Sequence, residues 1–327
     1  MATYKEIKGT QIEAVASDPS NPVEGQVWYN TTSNVLKGSV LTTAGAWATG
    51  GNLNTARSYS GGCGATKDAA LCMGAGPPPA PTAQAITESY NGTSWTEVND
   101  MNTGKNFNRA AGTYTSAITA GGDQFSGVAE SWNGTNWTTI TNEPSGSNAY
   151  GSAGADNTNA LFFGGVPAQT TTRYWNGSSW TNLNAMNGNK KDLDGAGKTY
   201  TAALAIGGSS GTPSPIDLTE SFNGTNWTEV NDLNTSRRFA AADGTQTSAL
   251  IFGGVTPSTT NKTEEWNGTN WTETTALPAS LTGLTGAGAN NTNALSFGGS
   301  NPSSPTYNST YEWTGAGATV TRTFTDS

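Results

Sequence analysis

The chain contains no histidine. Without an imidazole, histidine general bases, histidine-containing catalytic triads and histidine-ligated metal centres are excluded, and any proton transfer would fall to carboxylates, lysine or tyrosine. Cysteine is almost as scarce: Cys63 and Cys72 are the only two in 327 residues, too few for an ordinary zinc site. No metal or cofactor is therefore expected. Charge is sparse as well, with 12% charged residues, and 15 Lys and Arg against 24 Asp and Glu set the net charge at −9. A phosphate backbone would meet a repulsive field with no basic stripe to offset it, so nucleic acid is not an expected partner. No run approaches the roughly 18 apolar residues of a membrane-spanning helix, and Met1 to Asn30 lacks a basic-then-apolar secretory signal. Neither membrane insertion nor export by a cleaved signal is expected.

Glycine, by contrast, is abundant at 42 residues, and Thr, Asn and Ser accompany it. Such a turn-rich composition suits many short strands better than helices. A nine-residue signature then organises the chain. It reads E-S-Y-N-G-T-S-W-T from Glu88, E-S-W-N-G-T-N-W-T from Glu130, R-Y-W-N-G-S-S-W-T from Arg173, E-S-F-N-G-T-N-W-T from Glu220 and E-E-W-N-G-T-N-W-T from Glu264, with a degenerate sixth copy at Glu312-Trp313-Thr314-Gly315. Its second tryptophans, Trp95, Trp137, Trp180, Trp227 and Trp271, lie 42, 43, 47 and 44 residues apart. A period of that length built from short strands marks an array of structural repeats.

One copy, from Glu143 to Asn182, reads as four strands in meander order. A strand of small residues (151–155) is followed by a polar turn (156–159) and a hydrophobic strand, Ala160 to Phe163, ended by Gly164-Gly165. After a Pro/Thr-rich loop come a third strand at Tyr174-Trp175, the Asn176 to Ser179 turn and a fourth strand at Trp180-Thr181. The Gly-Gly marker recurs at Gly121-Gly122, Gly207-Gly208, Gly253-Gly254 and Gly298-Gly299. If Trp132 faces Trp137 across its hairpin, Gly134-Thr135 is the centre of the turn, with Gly134 at a position needing positive φ.

A hydrophobic run, Gly-Gly, then an aromatic before a Trp on the last strand resembles the kelch repeat from about Leu53 to the C-terminus. The resemblance implies an all-β chain, a kelch-like β-propeller of four-stranded antiparallel blades around a central channel. Trp47 stands six residues before Leu53, as Trp95 stands before Met101 and Trp227 before Leu233. The Trp47 segment is accordingly expected to be a fourth strand arriving early. Six blades are expected, closed by pairing this strand into the last blade with the C-terminal strand, 318–325, beside it; seven blades is the alternative count.

Residues 1–39 lie outside the repeat and are expected to form a docking segment with a hairpin over Gln26 to Lys37, and residues 40–327 the propeller. The stretch Asp18-Pro-Ser-Asn-Pro-Val-Glu-Gly-Gln-Val-Trp-Tyr-Asn-Thr-Thr resembles N-terminal segments of virion proteins in tailed phages, particularly marine ones. That resemblance implies a particle component, assembled in the host cytoplasm, whose N-terminus binds other virion proteins.

Several motifs have two readings. Aligned on the Gly-Gly markers, with a turn centred on Lys67-Asp68, Cys63 and Cys72 fall opposite one another, either as a cross-strand disulfide or as two small buried thiols. The sequons at Asn91, Asn133, Asn136, Asn176, Asn223, Asn226, Asn267 and Asn270 read as turn residues. In an up-down meander, short uniform turns share one face and variable loops the other. The variable face collects Lys105, Phe107, Arg109, Phe125, Tyr150, Lys190, Lys191, Arg237, Arg238 and Phe239, a set able to stack on and hydrogen-bond a sugar and equally typical of a solvated loop face.

Propellers also host copper oxidases, which need histidine, and sialidases, which need a cluster of arginines. Here Arg57, Arg109, Arg173, Arg237, Arg238 and Arg322 occur in unrelated contexts, and Glu88, Glu130, Glu220 and Glu264 recur as blade architecture. A non-enzymatic virion protein is expected, a tail- or fibre-associated appendage meeting a host-surface receptor or glycan. The alternative is an architectural virion protein, a capsid decoration or tail adaptor. An intracellular scaffold is a third class, and homo-oligomerisation is left open.

Overall fold

The computed structural model describes residues 12–19, 25–41, 44–75, 83–122, 127–144, 146, 148, 150–212, 214–317 and 319–324. Among the described residues the regular elements are all strands, forming seven four-stranded sheets and one two-stranded ribbon. The chain divides into two compact units, residues 1–45 with 314–327 and residues 46–313.

In the smaller unit β1 (Glu13–Val15) lies parallel to β2 (Val27–Asn30), and β2 pairs antiparallel with β3 (Val35–Leu41), the hairpin expected over this stretch. Asn30 caps the turn, its Oδ1 accepting Thr32 N at 3.1 Å and Ser33 N at 2.9 Å. Asp18 gathers the Trp28 indole N–H at 3.0 Å, the Asn30 amide at 2.7 Å and the Lys37 ammonium at 2.7 Å. These donors, Lys37 first, hold its carboxyl down at about 2.

The larger unit begins with β4 (Ala46–Thr49). Four sheets then follow in chain order: β5 (Gly61–Thr66), β6 (Ala69–Met73), β7 (Thr87–Tyr90) and β8 (Trp95–Val98); β9 (Arg109–Thr113), β10 (Ser116–Ala120), β11 (Ala129–Trp132) and β12 (Trp137–Ile140); β13 (Gly151–Asp156), β14 (Asn159–Phe163), β15 (Thr172–Trp175) and β16 (Trp180–Leu183); β17 (Asp194–Thr199), β18 (Ala202–Ile206), β19 (Thr219–Phe222) and β20 (Trp227–Val230). The fifth contains β21 (Ala241–Thr245) and β22 (Ser248–Phe252). Its chain then makes the ribbon β23 (Val255–Thr256) and β24 (Ser258–Thr259) before adding β25 (Thr263–Trp266) and β26 (Trp271–Thr274). The sixth is β27 (Thr285–Asn290), β28 (Asn293–Phe297), β29 (Thr310–Thr314) and, from the start of the unit, β4. The first strands contact one another in a closed cycle, β5 to β9, β13, β17, β21, β27 and back to β5. Trp47 thus lies on the outer strand of the sixth sheet. Its indole packs against Trp313 with centroids 5.2 Å apart.

The repeat shows why these residues make these sheets. Small residues on the first strands let neighbouring sheets approach closely; a Cβ on Gly195 would collide with the Ser152 carbonyl. Each outer hairpin closes on an aromatic pair, Trp132 opposite Trp137 with centroids 5.3 Å apart, and Gly134 has φ 93°. Asn133 Oδ1 accepts the turn amides of Thr135 and Asn136, and Asn91, Asn176, Asn223 and Asn267 do the same in their copies. These sequon asparagines are therefore turn residues. The second tryptophan of each pair reaches the preceding sheet: Trp137 Nε1 donates to Thr87 Oγ1 at 3.0 Å, Trp227 to Thr172 at 2.9 Å and Trp95 to Thr310 at 2.9 Å.

Three expectations change. The C-terminal strand, β30 (Thr319–Thr323), does not join the Trp47 strand but pairs with β3, with Lys37 opposite Thr323. It completes a seventh four-stranded sheet outside the repeat, so the four-stranded sheets number seven and not the six expected, and it belongs with residues 1–45. A period of two identifies a strand without naming the edge it joins, and β3, at seven residues, offers a longer edge than four-residue β4. The division also falls at residue 45 rather than 39, because the Gly45 to Ala46 step is where the chain enters the repeat ring.

Cys63 faces Leu71, and Cys72 faces Gly62. A β-bulge between Gly64 and Thr66 shifts the register by one, so the thiols are not opposite one another; both are buried and free.

Candidate functional site

The recurring glutamates are structural hubs. Glu88 accepts the Asn54 backbone N–H at 2.7 Å and its side-chain amide at 2.9 Å, and pairs with Arg57, both charged groups being buried. Glu130 receives Asn102 N at 2.7 Å and lies 3.9 Å from Lys105; Glu220 receives Asn187 N at 2.7 Å and lies 3.6 Å from Lys190; Glu264 receives Asn234 N at 2.8 Å and Arg237 at 2.6 Å. Lys105, Lys190 and Arg237 are therefore buried ties between the loop entering a sheet and its third strand, not surface contacts. Burial pushes the Lys105 ammonium down to about 8 against the attraction of Glu130. In the third sheet Arg173 replaces the glutamate and pairs with Glu143 at 2.6 Å. Glu143 also accepts the hydroxyl of buried Tyr150 at 2.7 Å.

All six first strands line a central cavity of ≈ 40 Å³. Arg109, on the second of them, donates to Tyr150 O at 2.9 Å and reaches within 3.8 Å of Asp194 on the fourth. Lys198, also on the fourth, donates to Gly64 O on the first at 3.1 Å and to Asp243 on the fifth at 2.5 Å. Both cations thus cross the channel. Asp194 accepts Gly195 N at 2.8 Å and Ala242 N at 3.1 Å, yet burial raises its carboxyl to about 6 against the pull of Arg109. Cys63 lines the same cavity, and burial lifts its thiol to about 12, far from a reactive thiolate.

One mouth of the channel is a belt of backbone hydrogen bonds. Tyr59 N donates to Gly283 O at 2.7 Å, Gly283 N to Phe239 O at 3.0 Å, Phe239 N to Asp192 O at 2.9 Å and Phe107 N to Tyr59 O at 2.8 Å. All five residues have positive φ: 58° at Tyr59, 50° at Phe107, 56° at Asp192, 52° at Phe239 and 59° at Gly283. The rings converge, with Tyr59 centroids 4.5 Å from Phe107 and 5.5 Å from Phe239. Arg238 lies 5.0 Å above the Phe239 ring and 3.6 Å from Asp192, which also accepts Ser209 Oγ at 3.2 Å. Lys191 adjoins Asp192 in the chain and bonds Ser209 through its backbone.

Of the ten residues expected on a binding face, the structure brings Phe107, Lys191, Arg238 and Phe239 to this mouth, each half-buried. Arg109 lies within the channel, and Lys105, Tyr150, Lys190 and Arg237 are buried. Phe125 lies outside the described residues. Sequence reasoning missed Tyr59, Asp192 and Ser209. A fixed offset would have found the first two: the belt residues Tyr59, Phe107, Asp192, Phe239 and Gly283 each stand twelve positions after Trp47, Trp95, Trp180, Trp227 and Trp271.

The closed cycle of four-stranded sheets around a channel defines a β-propeller. The chain is similar to the solved structure of YjhT, a protein of the β-propeller type, with a TM-score of 0.62 at 10% identity over 79% of this chain and 95% of that one. No protein-family model and no curated protein matches the sequence.

Proposed function

We propose that this protein is a non-enzymatic phage virion component, a tail- or fibre-associated appendage that presents the loop face of a propeller to a host-surface glycan. In this reading the six sheets of residues 46–313 are six kelch-like blades, and the seventh sheet is a separate docking module for other virion proteins. The observation that carries the binding role is the channel mouth, where three aromatics meet Arg238, Lys191 and Asp192 on the face of variable loops. The non-enzymatic part rests on the channel. Its ≈ 40 Å³ accommodates little more than water, and its four charged groups are committed to one another or to backbone.

Two observations support docking through the small unit. Its Asp18 to Thr32 stretch carries the resemblance to phage virion proteins, and it holds Ile12, Tyr29, Val40 and Phe324, four of the five exposed large hydrophobic residues among those described. An apolar sheet suits protein–protein contact, and it favours equally the second reading, an architectural capsid decoration or tail adaptor. Immunogold labelling of purified particles separates the two: gold at the tail or fibres is expected, gold on the capsid supports the architectural reading, and unlabelled particles overturn both.

A further inference from the structure

We infer that the channel mouth is a saccharide site that holds the terminal pyranose of a glycan, an inference that rests on the host-glycan reading above. The starting observation is strain. Positive φ is costly for bulky side chains and free for glycine, which is the solution used at Gly283. The belt nevertheless carries Tyr59, Phe107 and Phe239, and all three remain half-buried at the opening of the channel instead of being sealed in a core. Packing between sheets does not call for them, since the buried clusters beneath are complete without these three. Aromatics held in a strained backbone at an accessible axial position are suited to contacting something from outside.

The chemistry around them is divided. On one side Tyr59 lies over Gly283 and between Phe107 and Phe239, an apolar surface. On the other, Asp192, Ser209, Arg238 and Lys191 supply a carboxylate, a hydroxyl and two cations, with Arg238 tied to both Asp192 and the Phe239 face. A pyranose has the matching division, with an axial C–H face that stacks on aromatic rings and a rim of hydroxyls that pair with carboxylate and guanidinium. Arg109 and Lys198 cross the channel below, so a ligand rests on the mouth and does not thread it. That geometry selects the end of a chain over its middle.

The test uses the full-length protein with a panel of methyl hexopyranosides and short oligosaccharides, read by saturation-transfer difference NMR. Transfer to ring C–H protons of at least one sugar is expected. Tyr59→Gly and Phe239→Gly keep the backbone conformation available and should each weaken binding tenfold or more, while Tyr59→Phe should stay within about threefold of the wild type. Arg238→Gln and Asp192→Asn should weaken it as well; these two leave the aromatic belt in place, so the site stays testable if a glycine variant fails to melt like the wild type. Sugar binding that survives all four weakening variants unchanged overturns the site and leaves the host-glycan reading standing. No binding of any panel sugar by the wild type overturns the site and that reading together.

Discussion

Arg173 and Glu143 form an ion pair at 2.6 Å in the third sheet, whose third strand carries arginine where four other sheets carry Glu88, Glu130, Glu220 and Glu264. Elsewhere the carboxylate is on the strand and the cation on the entering loop, as in Arg237 with Glu264 at 2.6 Å. Here the signs are exchanged. The last sheet drops the charges altogether, with Tyr311 at the strand position and Leu281 at the loop position, both packed in an apolar cluster. An ion pair and a hydrophobic pair are interchangeable at such a site, whereas a single buried charge is not. Arg173→Glu, which sets two carboxylates together, should destabilise the fold by about 3–5 kcal/mol in urea unfolding. A loss below about 1 kcal/mol would mean that the pair is not structural.

The tryptophan ties between sheets make a smaller and more specific prediction. Thr87→Val removes the acceptor for Trp137 Nε1 while preserving shape, and should cost about 1–2 kcal/mol by leaving a buried indole N–H unpaired. Thr87→Ser should be nearly neutral. The second sheet has Ala129 at the corresponding position, and Trp180 donates instead to Thr141 O at 2.7 Å.

Asp194 gives the channel a pH dependence. Its carboxyl titrates near 3.8 in the unfolded chain and at about 6 when folded, so between these values the folded protein keeps a proton that the unfolded chain has released. Its contribution to stability is complete below about pH 4 and is lost as pH rises through 6. The urea midpoint of the wild type should therefore fall relative to Asp194→Asn from pH 4 to 6 and run parallel above pH 7. A parallel course throughout would show that Asp194 titrates normally.

Cys63 and Cys72, free and buried, should be inert to a thiol reagent in the native protein and both reactive in denaturant, with no reductant needed. An intramolecular Cys63–Cys72 disulfide detected by mass would contradict the register of β5 and β6.

Much of the propeller was legible because its signals are local. The Asn-Gly-Thr turns, the facing aromatics and the Trp47 offset each specify a neighbour within a few residues or one repeat. What was not legible depended on irregularity or on long-range choice. The bulge near Ala65 moved Cys63 off Cys72 by one residue, and β30 joined β3, an edge nearly three hundred residues away. The candidate face was legible in location more than in membership. Lys105, Lys190 and Arg237 look like surface cations in sequence and prove buried, because their partners, Glu130, Glu220 and Glu264, sit some 25 to 30 residues further on. Tyr59 was overlooked because the repeat preceding it is incomplete.

The central claim, that the loop face of this propeller meets a host surface, is tested most directly by measuring binding of fluorescently labelled full-length protein to host cells. The account predicts saturable binding that extracted surface polysaccharide competes away and that Tyr59→Gly with Phe239→Gly abolishes. Cells that bind no protein at saturation, or bind it undiminished in the presence of excess polysaccharide, would contradict it.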